Sequence, residues 1–517
     1  MAVRIGAAGD FVRDITVQLD LEELRKSNLA SPEVLAKLRI GDGKLWIPKG
    51  TVLRTQHGNA MMHFVIDVAP EYEAVGEPSF VFKKGSKPAL RQPAQRDGPH
   101  AHPDTITLPA EKVTWGGGAF NLLTAIRTLS PADKTALVLG AINGSWRHLN
   151  LEPIVEIQKK PEYSEDDIVK VCEKLNSENL ADVIELHLEE SKIEFFFQRA
   201  SEYKLLHNLI VSKASSTHET IRDRIIFKSP YPPLQLSAEH ATEFAKSFVK
   251  SCDAVMINSL SPVGLFSALV DETIRAGDEK RKVRPILALT KTNLAHLPYL
   301  VKKHEKSGDY KLSKFVVIMN ESEAEDFVKA LVSHHEKEPF LTPDMKEIAS
   351  DAKGFKLIAN DYIDYENVHR FFRLIQKVRG HSRLPVYLTL GEHGSMALDA
   401  NEFIHFVGAC DTPAHYDTTG LGDAWAACIT LLESHNVAVD GDRETELMKI
   451  AAAVAACKLS DPLGRLTKAA ANQFLKRKYV PCHKYKRGIG DLSVKEFSAP
   501  PDEARLPYVE ALDSILY

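Results

Sequence analysis

The sequence lacks long apolar runs, clustered cysteines and any marked excess of one charge. No apolar stretch approaches the roughly 18 residues that a membrane-spanning helix requires. Lysine and arginine number 65 and aspartate and glutamate 70, so the net charge of −5 provides no basic footprint for nucleic acid. We therefore expect no nucleic acid and no membrane among the partners of this protein.

Cysteine is scarce, with 6 residues in 517 and neither a CxxC pair nor a spacing typical of zinc sites. The first residues include Asp10 and Asp14 and lack the apolar core of a signal peptide. Both features predict a cytoplasmic protein whose thiols are reduced and mostly buried. A hydrophobic content of 44% and a charged content of 26% are ordinary for a globular chain that is longer than one average domain.

The most informative stretch is a glycine-rich turn, Asp417-Thr-Thr-Gly-Leu-Gly-Asp423, followed by an unbroken apolar run. The run predicts a buried helix beginning near Gly422, and the first N–H groups of a helix attract anions because they have no partner within it. Gly420, Leu421 and Gly422 are therefore a candidate anion cradle. Asp423 could accept a proton from a hydroxyl that attacks phosphorus. The alternative is a helix N-cap aspartate, which is commoner for such a motif in isolation.

Two glycine-containing segments occur earlier in the chain. Residues 9–14 follow a predicted strand at 2–8 and end in Asp14, a position that most often caps a turn. Residues 115–121 contain three glycines and precede a helical pattern, which predicts a tight turn with Asn121 close to the helix start.

Two further segments follow predicted strands in the second half of the chain. Asn320 and Glu323 come at the carboxyl end of a strand, where ligands bind in open α/β sheets, but their spacing is also that of a capping box. Residues 389–394 join two apolar runs through glycines and predict a hairpin.

Taken in order, these segments resemble the motifs of the ribokinase/PfkB family of carbohydrate kinases, and their joint occurrence is what makes the resemblance specific. The matches are GDxxxD at 9–14, GGxxxN at 116–121, NxxE at 320–323, TxGxxG at 389–394 and DTxGAGD, here DTTGLGD, at 417–423. The resemblance covers residues 1–20 and 110–475. Leu421 departs from the small residue that is usual there, and Cys428 from alanine or glycine, but a backbone N–H survives either change.

The resemblance implies a role for each matched residue. Asp423 is implied as the catalytic base, and the anion hole as Gly420, Leu421 and Gly422. Contacts to the phosphate acceptor are implied for Asp14, Gly116, Gly117 and Asn121. Contacts to the nucleotide are implied for Thr389, Gly391, Gly394 and Gly464.

The family also implies cofactors. Mg²⁺ is implied to be held through water by Asn320 and Glu323, and an oxygen-only pair suits a hard cation that retains its waters. ATP is implied as co-substrate. In some members K⁺ lies beside the anion hole, and the matching residues here are Asp417 and Thr419.

The implied fold is α/β: a ribokinase-like three-layer sandwich with a mostly parallel central sheet and a small β-sheet lid. We expect a discontinuous kinase domain at 1–20 and 110–479. Residues 21–109 are expected to form an enlarged lid or insertion with an exposed loop rich in Pro, Lys and Arg. Further lid strands and a connection are expected at 183–235, and a C-terminal extension at 480–517.

The predicted function is an ATP-dependent phosphotransferase that phosphorylates a hydroxyl of a sugar or sugar-like small molecule. Two alternatives stay open: a nucleoside or vitamin-like alcohol kinase of the same family, and a non-catalytic regulatory protein on this scaffold. The expected partners are the small-molecule acceptor, ATP and a second copy of the chain, bound as a homodimer through the lid.

Overall fold

A computed structural model describes the following parts of the chain: 2–19, 26, 39–41, 44–48, 52–57, 60–67, 79–81, 89–91, 105–142, 188, 191–199, 206–213, 224–228, 236–278, 283–303, 309–337, 340–349, 354–359, 362–380, 382–410, 420–437, 442–460, 466 and 495–496.

The strands, in chain order, are β1 (Arg4–Ala8), β2 (Val12–Leu19), β3 (Arg39–Gly41), β4 (Lys44–Pro48), β5 (Val52–His57), β6 (Ala60–Asp67), β7 (Ser79–Val81), β8 (Ala89–Arg91), β9 (Thr105–Gly116), β10 (Lys134–Ile142), β11 (Ile193–Arg199), β12 (Leu206–Lys213), β13 (Arg224–Lys228), β14 (Ala254–Ile257), β15 (Arg284–Ala288), β16 (Val316–Asn320), β17 (Ile358–Ala359), β18 (Tyr362–Ile363), β19 (Val386–Thr389), β20 (Ser395–Leu398), β21 (Ile404–Val407) and β22 (Lys495–Glu496).

The helices are α1 (Gly118–Leu129), α2 (Ala238–Ser251), α3 (Val263–Asp278), α4 (Lys291–Leu294), α5 (Leu297–Leu300), α6 (Glu321–Lys337), α7 (Pro343–Ile348), α8 (Tyr365–Arg379), α9 (Leu421–Ser434) and α10 (Arg443–Leu459). Short 3-10 turns cover Lys311–Lys314 and Gly391–His393.

The central sheet has the strand order β11-β10-β1-β14-β15-β16-β19-β20-β21-β22. Neighbours from β11 to β19 are parallel, whereas β19, β20 and β21 form an antiparallel meander. The strands of the middle are buried on both faces, as in β14, whose four residues are all buried, because a parallel sheet carries helices on both sides. The prediction of a mostly parallel α/β sheet is confirmed.

Each face of the sheet has its own core. Side chains alternate along the strands: Val255 and Ile257 join the cluster that contains α2, α3, α6 and α8, whereas Met256 joins the cluster that contains α1, α9 and α10. The chain therefore forms the predicted three layers, helix–sheet–helix. The helices α1, α9 and α10 of the candidate site are anchored in the second of these cores.

The segments expected to form a β-sheet lid contribute strands to a closed barrel of seven strands in the order β12-β13-β8-β6-β5-β9-β2, closed by parallel pairing of β2 with β12. It combines strands of the long insertion with β2 from the first 20 residues, so the lid is not a self-contained insertion. Because a closed ring leaves none of these seven strands as an edge, a homodimer through this barrel would have to use a face and not strand addition.

Two segments depart from the predicted boundaries. Residues 193–199, expected among the further lid strands, form β11 and pair in parallel with β10 at the edge of the central sheet. Their alternating pattern indicated a half-exposed strand, which describes a sheet edge as well as a lid. Within the predicted C-terminal extension, β22 pairs with β21 and lengthens the sheet by one short strand.

Cysteine burial agrees with the sequence. Four cysteines in the described part of the chain, Cys252, Cys410, Cys428 and Cys457, are buried. Among the described helices, none combines the length and the apolarity that crossing a bilayer demands.

Candidate active site

The site is organised around the first turn of α9, where two motifs that lie 302 residues apart in the chain meet. The side-chain amide of Asn121, in α1, donates a hydrogen bond to Oδ2 of Asp423, in α9, over 3.0 Å. Both residues are half-buried. The fold therefore joins the GGxxxN segment to the DTTGLGD segment.

The residues predicted to form the anion cradle lie at the start of α9. Gly420 caps the helix in the left-handed region with φ +71°, a conformation that favours glycine. The first helical hydrogen bond runs from the Ala424 N–H to the Gly420 carbonyl at 2.9 Å, so the N–H groups of Leu421 and Gly422 precede the bonded part of the helix. A Cβ built on Gly422 would meet nothing within 4 Å, which shows that this position faces open space.

Lys458 is a neighbour of the cradle that sequence reasoning missed. It lies in the last turn of α10, half-buried, and its ammonium donates to the Gly420 carbonyl at 3.2 Å. Lysine is common in the last turn of helices for local electrostatic reasons, so nothing in the sequence distinguished this one.

Asp14 lies on β2 beside the end of β9. A Cβ built on Gly116 would be 2.2 Å from Asp14 Oδ2, so the glycine leaves room for the carboxylate. Gly117 has φ +111°, and its Cβ would be 2.2 Å from the Asp10 carbonyl oxygen. Packing within the protein thus accounts for both glycines, and contact of their N–H groups with an acceptor stays a prediction.

The loop after β14 closes the same corner of the site. Asp10 accepts hydrogen bonds from the backbone N–H of Ser261, at 3.2 Å, and from the Ser261 hydroxyl. The buried side chain of Asn258 lies against the start of α1, where a Cβ built on Gly118 would be 2.7 Å from Asn258 Nδ2. The sequence signal for Asn258 was its position at a strand end.

Asn320 and Glu323 form a reciprocal capping pair at the junction of β16 and α6. The Asn320 N–H donates to Glu323 Oε2 at 2.9 Å, and the Glu323 N–H donates to Asn320 Oδ1 at 2.9 Å. This is the structural role that the spacing also allowed. Asn320 is exposed, so the pair is accessible at the carboxyl edge of the sheet, and its role toward Mg²⁺ stays a prediction.

The predicted hairpin at 389–394 joins β19 to β20 and is confirmed. Gly391 and Gly394 have φ +59° and +104°, and a Cβ on Gly394 would be 2.2 Å from the Val407 carbonyl oxygen. Thr389 is the register partner of Asn320, so the NxxE and TxGxxG segments lie side by side at one edge of the sheet. Asp417, Thr419 and Gly464 lie outside the described residues.

A buried ionic network holds the far end of α9. The Glu433 carboxylate accepts hydrogen bonds from the Tyr387 hydroxyl at 2.7 Å and from Arg443 at 2.9 Å, and it pairs with Arg284. Burial alone would raise the pKa of Glu433, but the two guanidinium groups hold that pKa below its usual range. The network connects α9 to β15, β19 and α10 and so fixes the axis of the helix that carries Asp423.

One other group of described residues has metal-ligand chemistry: Asp399, His405 and Glu444. His405 contacts Asp399 at 3.0 Å and Thr445 at 3.2 Å, and Glu444 lies 3.6 Å from Arg443. These contacts indicate a structural network. It lies at the start of α10, about 20 Å along the helix from Lys458.

A cavity of about 450 Å³ lies at the amino-terminal edge of the sheet, opposite Asp423. Its charged lining includes Lys314, which lies 3.9 Å from Asp278 and 3.7 Å from Asp309. The predicted site residues lie at the other edge, where ligands bind in open α/β sheets, at the carboxyl ends of the strands.

No family model and no curated protein matches the sequence. Among solved structures, the chain is similar to ribokinase from Giardia lamblia, with 14% identity, a TM-score of 0.48, and 92% of this chain and 99% of that chain covered. It is similar to Arabidopsis thaliana ribokinase complexed with ribose and ATP, with 13% identity, a TM-score of 0.45, and 92% and 99% covered. It is similar to phosphofructokinase-2 from Escherichia coli, with 14% identity, a TM-score of 0.44, and 91% and 98% covered.

Proposed function

We propose that this protein is an ATP- and Mg²⁺-dependent kinase that phosphorylates a hydroxyl group of a sugar or sugar-like small molecule. The observation that carries the proposal is the hydrogen bond between Asn121 and Asp423 at the first turn of α9. It brings the segment predicted to bind the acceptor next to the segment predicted to bind the phosphates, and a phosphoryl transfer enzyme needs both at one point.

In the proposed reaction Asp423 accepts the proton of the acceptor hydroxyl as the hydroxyl oxygen attacks the γ-phosphorus. The new bond joins the acceptor oxygen to phosphorus, and the bond that breaks joins phosphorus to the β–γ bridging oxygen, which leaves with ADP. Negative charge on the transferring group faces the N–H groups of Leu421 and Gly422, which the start of α9 holds in place. Positioning and electrostatics supply most of the catalysis, as is usual for phosphoryl transfer.

The acceptor is proposed to lie between the barrel and α9. Asp14 on β2 provides a carboxylate for a second hydroxyl of the acceptor, and its place beside Gly116 holds it close to the start of α1. The barrel above this corner would exclude water from the reacting groups, which would limit ATP hydrolysis.

Asn320 and Glu323 fit a magnesium site, because the metal ligands that their side chains offer are oxygen atoms. Both residues lie at the carboxyl edge of the sheet and are held by their mutual capping hydrogen bonds. They would hold Mg²⁺ through its waters, and the ion supplies neutralisation of the phosphate charge. Thr389 and the glycines of the adjoining hairpin are proposed to line the nucleotide. A K⁺ site at Asp417 and Thr419 is proposed only on the resemblance.

A direct test is a phosphotransfer screen with ATP and Mg²⁺ against sugars, sugar phosphates, nucleosides and vitamin-like alcohols, with Asp423→Asn as the matched control. We expect acceptor-dependent ADP release by the wild-type protein that the variant lacks. A nucleoside or vitamin-like alcohol as the preferred acceptor would move the substrate to the alternative class within the same chemistry. Absence of acceptor-dependent ADP release by the wild-type protein with every acceptor would support the non-catalytic alternative.

A further inference from the structure

The first turn of α9 has a second charged neighbour besides Asp423. The Lys458 ammonium donates a hydrogen bond to the Gly420 carbonyl at 3.2 Å. A Cβ built on Gly420 would lie 2.6 Å from Lys458 Nζ and 3.8 Å from Asp423 Oδ2. The ammonium and the carboxylate therefore flank one glycine at the helix start.

The position of Lys458 is fixed by the packing of two helices. The buried faces of α9 and α10 share one core, and the last turn of α10 lies beside the first turn of α9. A cation in the last turn of a helix is stabilised by the helix dipole. Because Lys458 is also half-buried, its charge acts over a short distance with less screening than a surface charge has.

One structural role for Lys458 would be to satisfy the backbone at the helix start. The Gly420 carbonyl already accepts the Ala424 N–H at 2.9 Å, so the helix does not need the ammonium for its own hydrogen bonding. Asp423 raises a separate electrostatic problem: it is a negative charge beside the place where a polyphosphate must bind. A neighbouring ammonium offsets the repulsion between this carboxylate and the phosphates.

We propose that Lys458 is the fixed cation of the anion hole: it neutralises negative charge on a polyphosphate held at the first turn of α9 and positions the Gly420 peptide. The proposal rests on the proposed function for the identity of the phosphate donor. The proposed anion site therefore consists of the backbone N–H groups of the cradle and one charged side chain. The conformation of Gly420 and the location of Lys458 both serve anion binding.

The test measures binding of inorganic tripolyphosphate by titration calorimetry in three variants. Lys458→Met keeps the aliphatic stem and removes the charge, Lys458→Arg keeps the charge, and Lys449→Met is the matched control. Lys449 lies on the same helix, nine residues earlier, and pairs with Glu446 at 3.1 Å. We expect Lys458→Met to weaken binding by about tenfold, as for loss of one charge-assisted contact. Lys458→Arg should retain most of the affinity, and Lys449→Met all of it.

Wild-type affinity in Lys458→Met, with an unchanged thermal midpoint, would overturn the proposal. If Lys458→Met fails to fold, the wild-type protein can be tested instead. Its lysines are acetylated with and without tripolyphosphate, and mass spectrometry measures the acetylation rate of each lysine. Tripolyphosphate should slow acetylation of Lys458 and leave Lys449 unaffected. Equal rates at Lys458 with and without tripolyphosphate would refute the assignment.

Tripolyphosphate binding requires neither acceptor nor turnover, so it separates this proposal from the proposed function. Lys458-dependent binding without phosphorylation of any acceptor would refute the kinase function and support the anion site. Phosphotransfer by the wild-type protein, with unchanged turnover and unchanged tripolyphosphate binding in Lys458→Met, would support the kinase function and refute the role of Lys458.

Discussion

The side-chain amide of Asn121 is hydrogen-bonded to Oδ2 of Asp423 at 3.0 Å, although 302 residues separate them in the chain. Their helices, α1 and α9, belong to the same core on one face of the sheet. The bond fixes the orientation of the Asp423 carboxylate before any substrate binds. We therefore propose Asn121 as a positioning residue for the proposed base as well as a contact to the acceptor.

The first prediction concerns Asp423 itself. Asp423→Asn removes the proton acceptor while it keeps the size of the side chain, so the fold and ATP binding should be preserved. Turnover should fall by about 10²- to 10⁴-fold, the usual contribution of a general base. Steady-state kinetics with the acceptor found in the screen measure the loss, and Asp278→Asn, at the amino-terminal edge of the sheet, is the control. Turnover close to wild type in Asp423→Asn would refute the mechanism.

The second prediction separates Asp14 from Asn121. Asp14→Ala should raise KM for the acceptor by roughly 10- to 100-fold, because a charged hydrogen bond of about 1.5–3 kcal/mol is lost, and should leave ATP binding unchanged. Asn121→Ala should lower kcat as well, because Asp423 loses its partner. The two variants are compared by kcat and KM for each substrate. Equal weakening of acceptor and ATP binding in Asp14→Ala would show that the acceptor site is misplaced.

The third prediction concerns the capping pair at the start of α6. Glutamine also fits the third position of a capping box, so Glu323→Gln retains the hydrogen bond to the Asn320 N–H and removes the charge. If Glu323 acts through Mg²⁺, the concentration of Mg²⁺ for half-maximal rate should rise while acceptor KM stays constant. A Mg²⁺ titration of both proteins is the measurement. An unchanged midpoint would assign the motif to helix capping alone.

Local features of the site followed from the sequence because each has a local cause. The helix of DTTGLGD, the glycine turn before α1 and the hairpin at 389–394 depend on glycine placement and apolar runs, and all three occur. The parallel sheet followed from alternating strands and helices.

Long-range features could not be predicted in the same way. Lys458 lies 38 residues after Gly420, and only the antiparallel packing of α9 and α10 brings them together. The seven-stranded barrel depends on pairing β2 with β12, roughly two hundred residues apart, and strand partners are not encoded in strand periodicity. For the same reason, the sequence predicted residues 193–199 to be lid strands, although they form β11 at the edge of the central sheet.

The last prediction concerns His296 and the pH dependence of stability. His296 is buried, its ring stacks on Phe266 with centroids 4.2 Å apart, and its Nε2 lies 3.0 Å from the Leu260 carbonyl oxygen. Burial lowers the pKa of His296 below its usual 6.5, against the opposing effect of that hydrogen bond. His296 therefore binds a proton less readily in the folded protein than in the unfolded chain.

The direction of the pH dependence follows from the difference in proton binding between the folded and unfolded states. Above pH 6.5 both states leave His296 neutral, and below it the unfolded state binds more protons, so the free energy of unfolding falls as pH falls. One such proton contributes at most about 1.4 kcal/mol per pH unit. His296 holds the loop of Leu260, whose neighbour Ser261 binds Asp10, so acid should loosen this corner of the site.

The measurement is urea unfolding of the wild-type protein and of His296→Gln between pH 8 and pH 5, an interval that spans the ordinary histidine pKa of about 6.5. We expect the wild-type protein to lose more stability than His296→Gln over this interval. His240→Gln, at an exposed position on α2, is the control and should follow the wild-type curve. Parallel curves for the wild-type protein and His296→Gln would mean that His296 takes up its proton equally well in the folded and unfolded states.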